Sequence, residues 1–313
     1  MPRKIIIDTD PGIDDAVALL LALASPAELE VLGIVAVAGN LPLEETLRNA
    51  RRVCELAGCA DIPVYAGCAR PLLRPLETAA AIHGDLLGDR LGLPEPPMPL
   101  QSRHGVDFTI ETLRAAEPGS VSLCALGPLT DIAIALIKAP DVAARITELV
   151  ILGGAAFEIG NVTPAAEFNI HVDPHAAAVV LESGVPITMI PLDVTHQVLS
   201  TPPRITQLRA LENRCGPAVA ALLDQFEAAR TGRFGARGTA LHDPCAVAYL
   251  LRPDLFRGRQ VNVAVETASP LTSGMTVVDW WGVTGRAGNA VFMTEVEADP
   301  LYQLVIDRLA RLP

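Results

Sequence analysis

The sequence IIIDTDPGIDDAVALLLALA, residues 5–24, combines a short β-type run, a turn and an apolar stretch of helical length. Pro11 and Gly12 end the first run, because proline followed by glycine is typical of a turn. Asp14 and Asp15 then stand where acidic side chains favour the N-terminus of a helix. The segment therefore predicts a strand, a turn and a helix in direct succession, which is the repeating unit of an α/β fold.

The same alternation recurs along the chain. Further strands are predicted at residues 30–38, 121–126, 149–152 and 185–192, and helices at residues 43–57 and 129–138. A long polar loop is predicted after residue 152, up to Asp173. Because strands that alternate with helices pair in parallel, we predict one α/β domain over residues 1–313, with an open, mostly parallel, Rossmann-like sheet flanked by helices. Later apolar runs predict extra edge strands, some of them antiparallel, at residues 261–265, 276–280 and 290–296. Residues 203–252 predict a helical C-terminal region.

Composition argues against several classes of protein. The formal net charge of -12 disfavours a nucleic-acid surface, which needs clustered lysine and arginine. The apolar run at residues 16–24 is about half of the roughly 20 residues that a membrane helix requires. No export signal is visible, and six scattered cysteines without CxxC pairs are typical of a reducing compartment. We therefore expect a cytoplasmic protein with no nucleic-acid or membrane partner.

Five residues directly follow predicted strands. They are Asp10, Asn40, Leu126, Asn161 and Asp193. In open α/β sheets, ligands bind beyond the carboxyl ends of the strands. We therefore expect these residues to gather in one crevice.

Four aspartates, Asp8, Asp10, Asp14 and Asp15, surround the Pro-Gly turn. Carboxylates this close repel one another unless a cation lies among them, and oxygen ligands favour calcium or magnesium over zinc. Calcium fits an irregular oxygen cluster better than magnesium, which demands octahedral order. An EF-hand is excluded, because counting from Asp8 puts Leu19 where that motif requires glutamate. Helix capping by Asp14 or Asp15 is the alternative that needs no metal.

An apolar strand followed by Asp-x-Asp also begins the haloacid-dehalogenase phosphatases, in which Asp8 would be the nucleophile. Those enzymes need a lysine further along the chain. This sequence has essentially Lys4 and Lys138, and Lys138 ends a predicted helix. The phosphatase interpretation is therefore disfavoured.

The aspartate segment at residues 8–16 resembles the signature of the inosine-uridine nucleoside hydrolases. Other segments are similar to that family's motifs in order and spacing: AGN at 38–40, IHG at 82–84, LGPLT at 126–130, GNVT at 160–163, AEFN at 166–169, VDP at 172–174 and HDPC at 242–245. The resemblance covers residues 4 to about 295. It implies a hydrolase of nucleoside salvage that splits the N-glycosidic bond of ribonucleosides into ribose and a free purine or pyrimidine base.

The resemblance also implies the site residues. The calcium ligands would be Asp10, Asp15, the backbone carbonyl of Leu126, and Asp243. The residues that bind the sugar would be Asp14, Asn161, Glu167 and Asn169. Asn40, in the same substrate-binding group, would orient the residues that bind the metal. Apolar walls would come from Phe168 and Leu152, and His83 and His242 would lie toward the base.

Cleavage of this bond passes through an oxocarbenium-like sugar, so the enzyme must activate water and help the base depart. We expect Asp10 to accept the proton of the attacking water as well as to bind the metal. His242 is the first candidate for the acid that protonates the leaving base, because the pKa of imidazole lies near neutrality. His83 is the second candidate.

The helix before the HDPC segment departs from the family pattern. Several relatives present tyrosines to the base there, whereas this chain has Phe226 and Arg230. Arg230 could bind a carbonyl-bearing base or face solvent, which leaves purine or pyrimidine preference open. An alternative from a different class is a non-catalytic, calcium-dependent protein that binds nucleosides or sugars. A homodimer or homotetramer is expected, since many cytoplasmic enzymes are symmetric oligomers.

Overall fold

The computed structural model describes residues 1–80, 88, 91–229 and 238–313, including only the backbone of residues 226–229. The elements up to residue 152 are β1 (Arg3–Thr9), α1 (Ile13–Leu23), β2 (Leu29–Ala36), α2 (Leu43–Leu56), β3 (Val64–Ala66), β4 (Gln101–His104), α3 (Gly105–Ala115), β5 (Val121–Ala125), α4 (Thr130–Lys138) and β6 (Ile146–Leu152). The later elements are α5 (Phe168–Val172), α6 (Pro174–Leu181), β7 (Ile187–Ile190), α7 (Leu192–Thr195), β8 (Leu199–Ser200), α8 (Pro202–Arg209), α9 (Cys215–Ala229), β9 (Thr239–Ala240), α10 (Pro244–Leu251), β10 (Phe256–Val265), β11 (Thr276–Asp279), β12 (Ala290–Val296) and α11 (Ala298–Leu309).

A 10-stranded sheet runs through the molecule in the order β11-β10-β12-β7-β6-β5-β1-β2-β3-β4. The strands from β12 to β4 in this order pair in parallel. Strand β10 pairs antiparallel with both β12 and β11. The predicted mostly parallel sheet with antiparallel strands at one edge is confirmed.

Strand β1 lies inside the sheet and is covered on both faces. Ile5 and Ile7 pack in the apolar layer that contains α1. Ile6 packs in the opposite layer with Val35 and Leu123. Successive side chains of a strand point to opposite faces, so a strand covered on both sides must be apolar throughout. This is why three consecutive isoleucines form a central strand.

Helix α1 is buried along its whole length. It packs against α2, α9, α10 and α11 as well as against β2. A helix that is apolar all round needs such a cover on every side. The packing against α10 brings the C-terminal half of the chain to the end of β1.

Two predictions about elements are wrong in part. Residues 203–252 are not one helical region, because β9 interrupts them and pairs antiparallel with β8. Gly238, at φ +116, precedes β9 in a conformation that a helix does not contain. The polar loop predicted up to Asp173 contains α5, a short helix whose N-terminus is capped by the Glu167 side chain.

Strands β3 and β4 and helix α3 escaped sequence prediction. Strand β3 has 3 residues, and β4 reads QSRH, mostly exposed at the edge of the sheet. Neither contains enough apolar residues to reveal a period. In the part of the chain that the structure describes, no helix has both the length and the apolar character needed to cross a membrane.

Candidate active site

The residues predicted to follow strands gather mainly at the carboxyl ends of β5, β1 and β2, which are neighbours in the sheet. Leu126 N donates to the carbonyl oxygen of Asp8 at 2.7 Å, which ties the end of β5 to the end of β1. Asn40 Nδ2 donates to the carbonyl oxygen of Asp10 at 3.2 Å, which ties the turn after β2 to the same point. Asp10, Asn40 and Leu126 therefore lie close together, as predicted. Asn161 was predicted to follow a strand directly, which is wrong, because β6 ends at Leu152.

Asp15 is fully buried and held by several donors. Thr9 Oγ1 donates to Asp15 Oδ1 at 2.6 Å, and Gly12 N donates to Asp15 Oδ2 at 3.0 Å. Asn40 Nδ2 donates to the same Oδ2 at 3.0 Å. These hydrogen bonds come from three different segments of the chain. The Asp15 carboxyl group is therefore held in one orientation at the start of α1.

Asp10 is also fully buried, but one of its oxygens lacks a donor. Asn40 N donates to Asp10 Oδ2 at 2.6 Å. Asp10 Oδ1 has no hydrogen-bond partner among the described residues. A Cβ at Gly39 would overlap Oδ2, and one at Gly127 would lie 2.6 Å from Oδ1. Two glycines thus let the backbone approach the carboxylate closely, and a buried oxygen is left for a proton or a cation.

Asp14, Asp15 and Asp243 form a group of buried carboxylates whose nearest oxygens lie within 4.8 Å of one another. Burial raises the pKa of Asp243 well above its ordinary value, and the neighbouring charges of Asp14 and Asp15 raise it further. Burial, followed by the charge of Asp15, likewise raises the pKa of Asp10. Such a set of oxygen donors fits a hard cation, which would offset both the burial and the repulsion. These residues could therefore hold a metal ion.

Asp8 does not belong to this group, and its inclusion in a four-aspartate cluster is wrong. Alternation along β1 turns its side chain away from that of Thr9, which contacts Asp15. It faces Asp131 of α4 instead, and burial followed by the charge of Asp131 raises the pKa of Asp8. Neither oxygen of Asp8 has a hydrogen-bond donor among the described residues. Asp8 and Asp131 therefore form a second buried pair of carboxyl groups, separate from the group of Asp14, Asp15 and Asp243.

Asn169, near the start of α5, connects the ends of two strands. Its Nδ2 donates to the carbonyl oxygen of Leu126 at 2.6 Å and to that of Leu152 at 3.1 Å. A carbonyl oxygen has two lone pairs, so Leu126 retains capacity to bind a cation. The structure places this predicted sugar-binding residue beside the predicted carbonyl ligand.

Glu167 caps α5 and is buried. Its Oε1 accepts from Asn169 N at 3.0 Å, and its Oε2 accepts from Gly154 N and Ile170 N at 3.2 Å each. Burial raises its pKa to about 7, although these backbone donors act in the opposite direction. Asn161 Oδ1 accepts from the amide of half-buried Phe168 at 2.9 Å, which joins the preceding loop to α5. The predicted sugar-binding residues after β6 therefore lie around one short helix.

His242 is buried with 6% of its surface exposed. Its Nδ1 lies 2.8 Å from Thr195 Oγ1, and its ring packs against that of His196. Sequence reasoning missed Thr195 and His196. The signal was present, since both follow Asp193 at the end of a predicted strand. Asp193 itself builds the site indirectly, because its carboxylate accepts from the amides of residues 156–158.

Three predicted base-side residues cannot be placed. His83 and Arg230 lie outside the described residues, and so does the side chain of Phe226.

Comparison with known proteins gives a consistent result. A family model for the inosine-uridine preferring nucleoside hydrolase matches residues 5–303. An uncharacterized protein of Schizosaccharomyces pombe is 53% identical over 310 residues, covering 99% of this chain and 100% of that protein. The pyrimidine-specific ribonucleoside hydrolase RihA of Klebsiella pneumoniae is 44% identical over 311 residues, covering 99% of each chain. The structure of a purine-preferring ribonucleoside hydrolase from Gardnerella vaginalis superposes with a TM-score of 0.91 at 33% identity, covering 98% of each chain.

The match extends over both the residues and the fold on which the site is built. The buried aspartates, the Leu126 carbonyl and the α5 residues all lie within the matched range of 5–303. The chain therefore belongs to the inosine-uridine preferring nucleoside hydrolase family, and it is an N-ribosyl hydrolase of ribonucleosides.

Proposed function

We propose that the hydrolysis depends on a calcium ion held among the buried carboxylates. The observation that carries this proposal is Asp10 Oδ1, which is buried beside Asp15 and accepts no hydrogen bond from any residue that the structure describes. Asp243 joins Asp15 in the same carboxylate group. The atoms available to bind a metal here are all oxygens, and they come from irregularly spaced groups. Calcium accepts roughly six to eight oxygen ligands in flexible geometry.

The proposed ligands are Asp10, Asp15, the carbonyl oxygen of Leu126, and Asp243. Asp14 lies in the same group of carboxylates and is proposed to bind the sugar from there. When bound, the cation supplies positive charge that makes water more acidic and attracts the hydroxyls of the ribose.

Asp10 is proposed to take the proton of the attacking water at Oδ1. Its Oδ2 is occupied by the Asn40 amide, so Oδ1 is the oxygen available for this task. Burial raises the proton affinity of the carboxylate, which a general base needs. Asn40 also donates to Asp15 and so fixes the two carboxylates relative to each other.

The ribose is proposed to lie between the carboxylates and α5. Asn161, Glu167 and Asn169 would hydrogen-bond its hydroxyls, because amide and carboxyl groups match hydroxyls as donors and acceptors. Phe168 and Leu152 would supply apolar walls. The anchoring of Asn169 to the strand ends supports a rigid sugar site.

His242 is proposed to protonate the departing base, with His83 as the second candidate. A buried ring held by a hydroxyl group is oriented for proton transfer without reorganisation. Arg230 is proposed to contact the base.

For the base itself, we propose a preference for pyrimidine ribonucleosides. Relatives named pyrimidine-specific, from Klebsiella pneumoniae and Salmonella typhimurium, are 44% and 45% identical to this chain. The relative named purine-preferring is 33% identical. We expect kcat/KM for uridine and cytidine to exceed that for inosine, and a higher value for inosine would contradict this preference.

Release of ribose tests the function as a whole. The protein is incubated with uridine, cytidine or inosine, and reducing sugar is measured alongside nucleoside binding by calorimetry. If the protein hydrolyses the nucleoside, we expect ribose and free base to be released in equal amounts. Binding without any release of sugar would instead favour the non-catalytic nucleoside-binding alternative.

We also propose that the chain forms one domain and works in the cytoplasm as a homodimer or homotetramer. The single large sheet supports one domain. All six cysteines are free thiols, which is typical of a reducing compartment. Light scattering of the purified protein would measure the oligomeric state.

A further inference from the structure

His242 is held through one ring nitrogen by a residue of α7. Thr195 Oγ1 lies 2.8 Å from His242 Nδ1, and Thr195 is 0% exposed. Buried polar groups need partners, and a hydroxyl can both donate and accept. Thr195 therefore engages Nδ1 whichever of the two atoms carries the hydrogen. Nε2 is the ring nitrogen that this contact does not engage.

The backbone fixes the two residues relative to each other. Thr195 ends α7, which follows β7 of the central sheet within two residues. Leu241 N donates to the carbonyl oxygen of Val198 at 2.8 Å, and β8 pairs with β9 beside this bond. The segments that carry Thr195 and His242 are thus joined by a short ladder. Because threonine is β-branched, its hydroxyl also has few orientations available.

A second contact restricts the His242 ring from another direction. The ring of His196 packs against it with centroids 5.9 Å apart and planes at 64°. His196 Nδ1 lies 2.9 Å from Glu158 Oε2, so this neighbouring ring is itself anchored. The hydrogen bond and the packing together leave the His242 ring little freedom to turn.

We infer that Thr195 is a positioning residue of the reaction, whose hydroxyl holds His242 so that Nε2 meets the departing base. The inference rests on the proposed function, in which His242 is the acid. The C1′–N bond breaks with its electron pair going to the base nitrogen, and the proton moves from His242 Nε2 to the base. The water oxygen forms the new bond to C1′ and its proton passes to Asp10. Asp10 then releases that proton to solvent, and solvent returns a proton to His242.

The test compares Thr195→Val, which keeps the shape but loses the hydroxyl, with Thr195→Ser, which keeps the hydroxyl. Each is assayed on uridine and on p-nitrophenyl β-D-ribofuranoside, whose leaving group departs without protonation. We expect Thr195→Val to lower kcat on uridine by about tenfold or more, since general acid catalysis contributes roughly 10²–10⁴-fold. Its kcat on the nitrophenyl riboside and both KM values should change by less than about twofold. Thr195→Ser should restore most of the kcat on uridine.

The matched control is Thr188→Val. Thr188 is a buried threonine of β7 whose hydroxyl donates to Glu148 Oε1 at 2.8 Å. Loss of this hydroxyl should leave kcat and KM unchanged on both substrates. Thermal melting checks folding, and Thr195→Ala provides a second hydroxyl-free variant if valine does not fit.

Two results would overturn the inference. One is an equal loss of kcat on both substrates in Thr195→Val, and the other is a Thr195→Ser variant no better than Thr195→Val. His242→Gln separates this failure from failure of the proposed function. If His242→Gln selectively loses uridine turnover while Thr195→Val does not, only the inference fails. If His242→Gln shows no such selectivity, the proposed acid fails and the inference with it.

Discussion

At the scale of single residues, the site holds carboxylates close together at an electrostatic cost. Asp15 is surrounded by donors from Thr9, Gly12 and Asn40. Burial, and then neighbouring carboxylates, raise the pKa values of Asp10 and Asp243. A bound cation would offset this electrostatic cost.

Asp10→Asn tests the proposed base. The amide keeps the shape but cannot accept the proton of water, so kcat should fall by roughly 10²–10⁴-fold. The fold should be retained, and the metal-free variant should melt no lower than the parent because one repelling charge is removed. Asp107→Asn, an exposed aspartate of α3, serves as the control. Near-normal ribose release from Asp10→Asn would refute the role of Asp10.

The buried Asp8–Asp131 pair makes a separate prediction about pH. Burial raises both pKa values above the ordinary 3.8, so the folded pair keeps a proton that the unfolded chain releases. The folded state therefore binds more protons in this window, and the free energy of unfolding falls as pH rises from the ordinary value toward the raised pKa. Asp131→Asn removes one carboxyl and can donate to Asp8.

Urea unfolding across pH 4 to 8, in the presence of a chelator, measures this effect in the parent and in Asp131→Asn. The free energy of unfolding should decline less steeply with pH in the variant. Parallel curves for the two proteins would show that the pair does not share a proton.

At the scale of the elements, the site depends on how closely the turns after neighbouring strands approach. Gly39 and Gly127 lie in the turns after β2 and β5, and both border the Asp10 carboxylate. Neither has a positive φ, so space alone requires glycine there. Replacing either glycine by alanine adds one methyl group, which tests whether this close approach is needed.

Gly39→Ala should displace Asp10, because the new Cβ would overlap Asp10 Oδ2 and lie 2.7 Å from Pro128 Cδ. Overpacking of this kind costs about 1–3 kcal/mol of stability. Gly67→Ala is the matched control, since its Cβ would overlap Asp131 Oδ2 in the other carboxyl pair. Both variants should melt lower, but only Gly39→Ala should also lose bound calcium. Equal calcium retention would contradict the placement of the site.

The sequence predicted the elements that contain strong runs of apolar residues. The isoleucines of β1, the apolar helix α1 and the strands β2, β5, β6 and β7 all lie close to their predicted positions. Elements with weak signals were missed, because β3 is short, β4 is polar and α5 depends on a cap from Glu167. Helix propensity gives little signal for a helix of only 5 residues whose N-terminus is capped by a glutamate side chain.

At the scale of the whole molecule, the site joins residues from both halves of the chain. Asp243 reaches Asp14 and Asp15 because α10 packs against α1. The α/β pattern predicted that strand ends converge, but pairing between distant segments follows from packing and not from local sequence. Two features depend on such packing between distant segments and were not predicted. They are the orientation of Asp8 toward Asp131 and the contact of Thr195 with His242.

We propose that ribose release requires one calcium ion bound among Asp10, Asp15 and Asp243. The most direct measurement is ribose release from uridine by chelator-treated protein, before and after calcium is returned, with bound metal counted by mass spectrometry. We predict loss of activity on removal and full recovery at one calcium per chain, with magnesium and zinc less effective. Undiminished turnover in protein shown to be free of metal would contradict a calcium requirement.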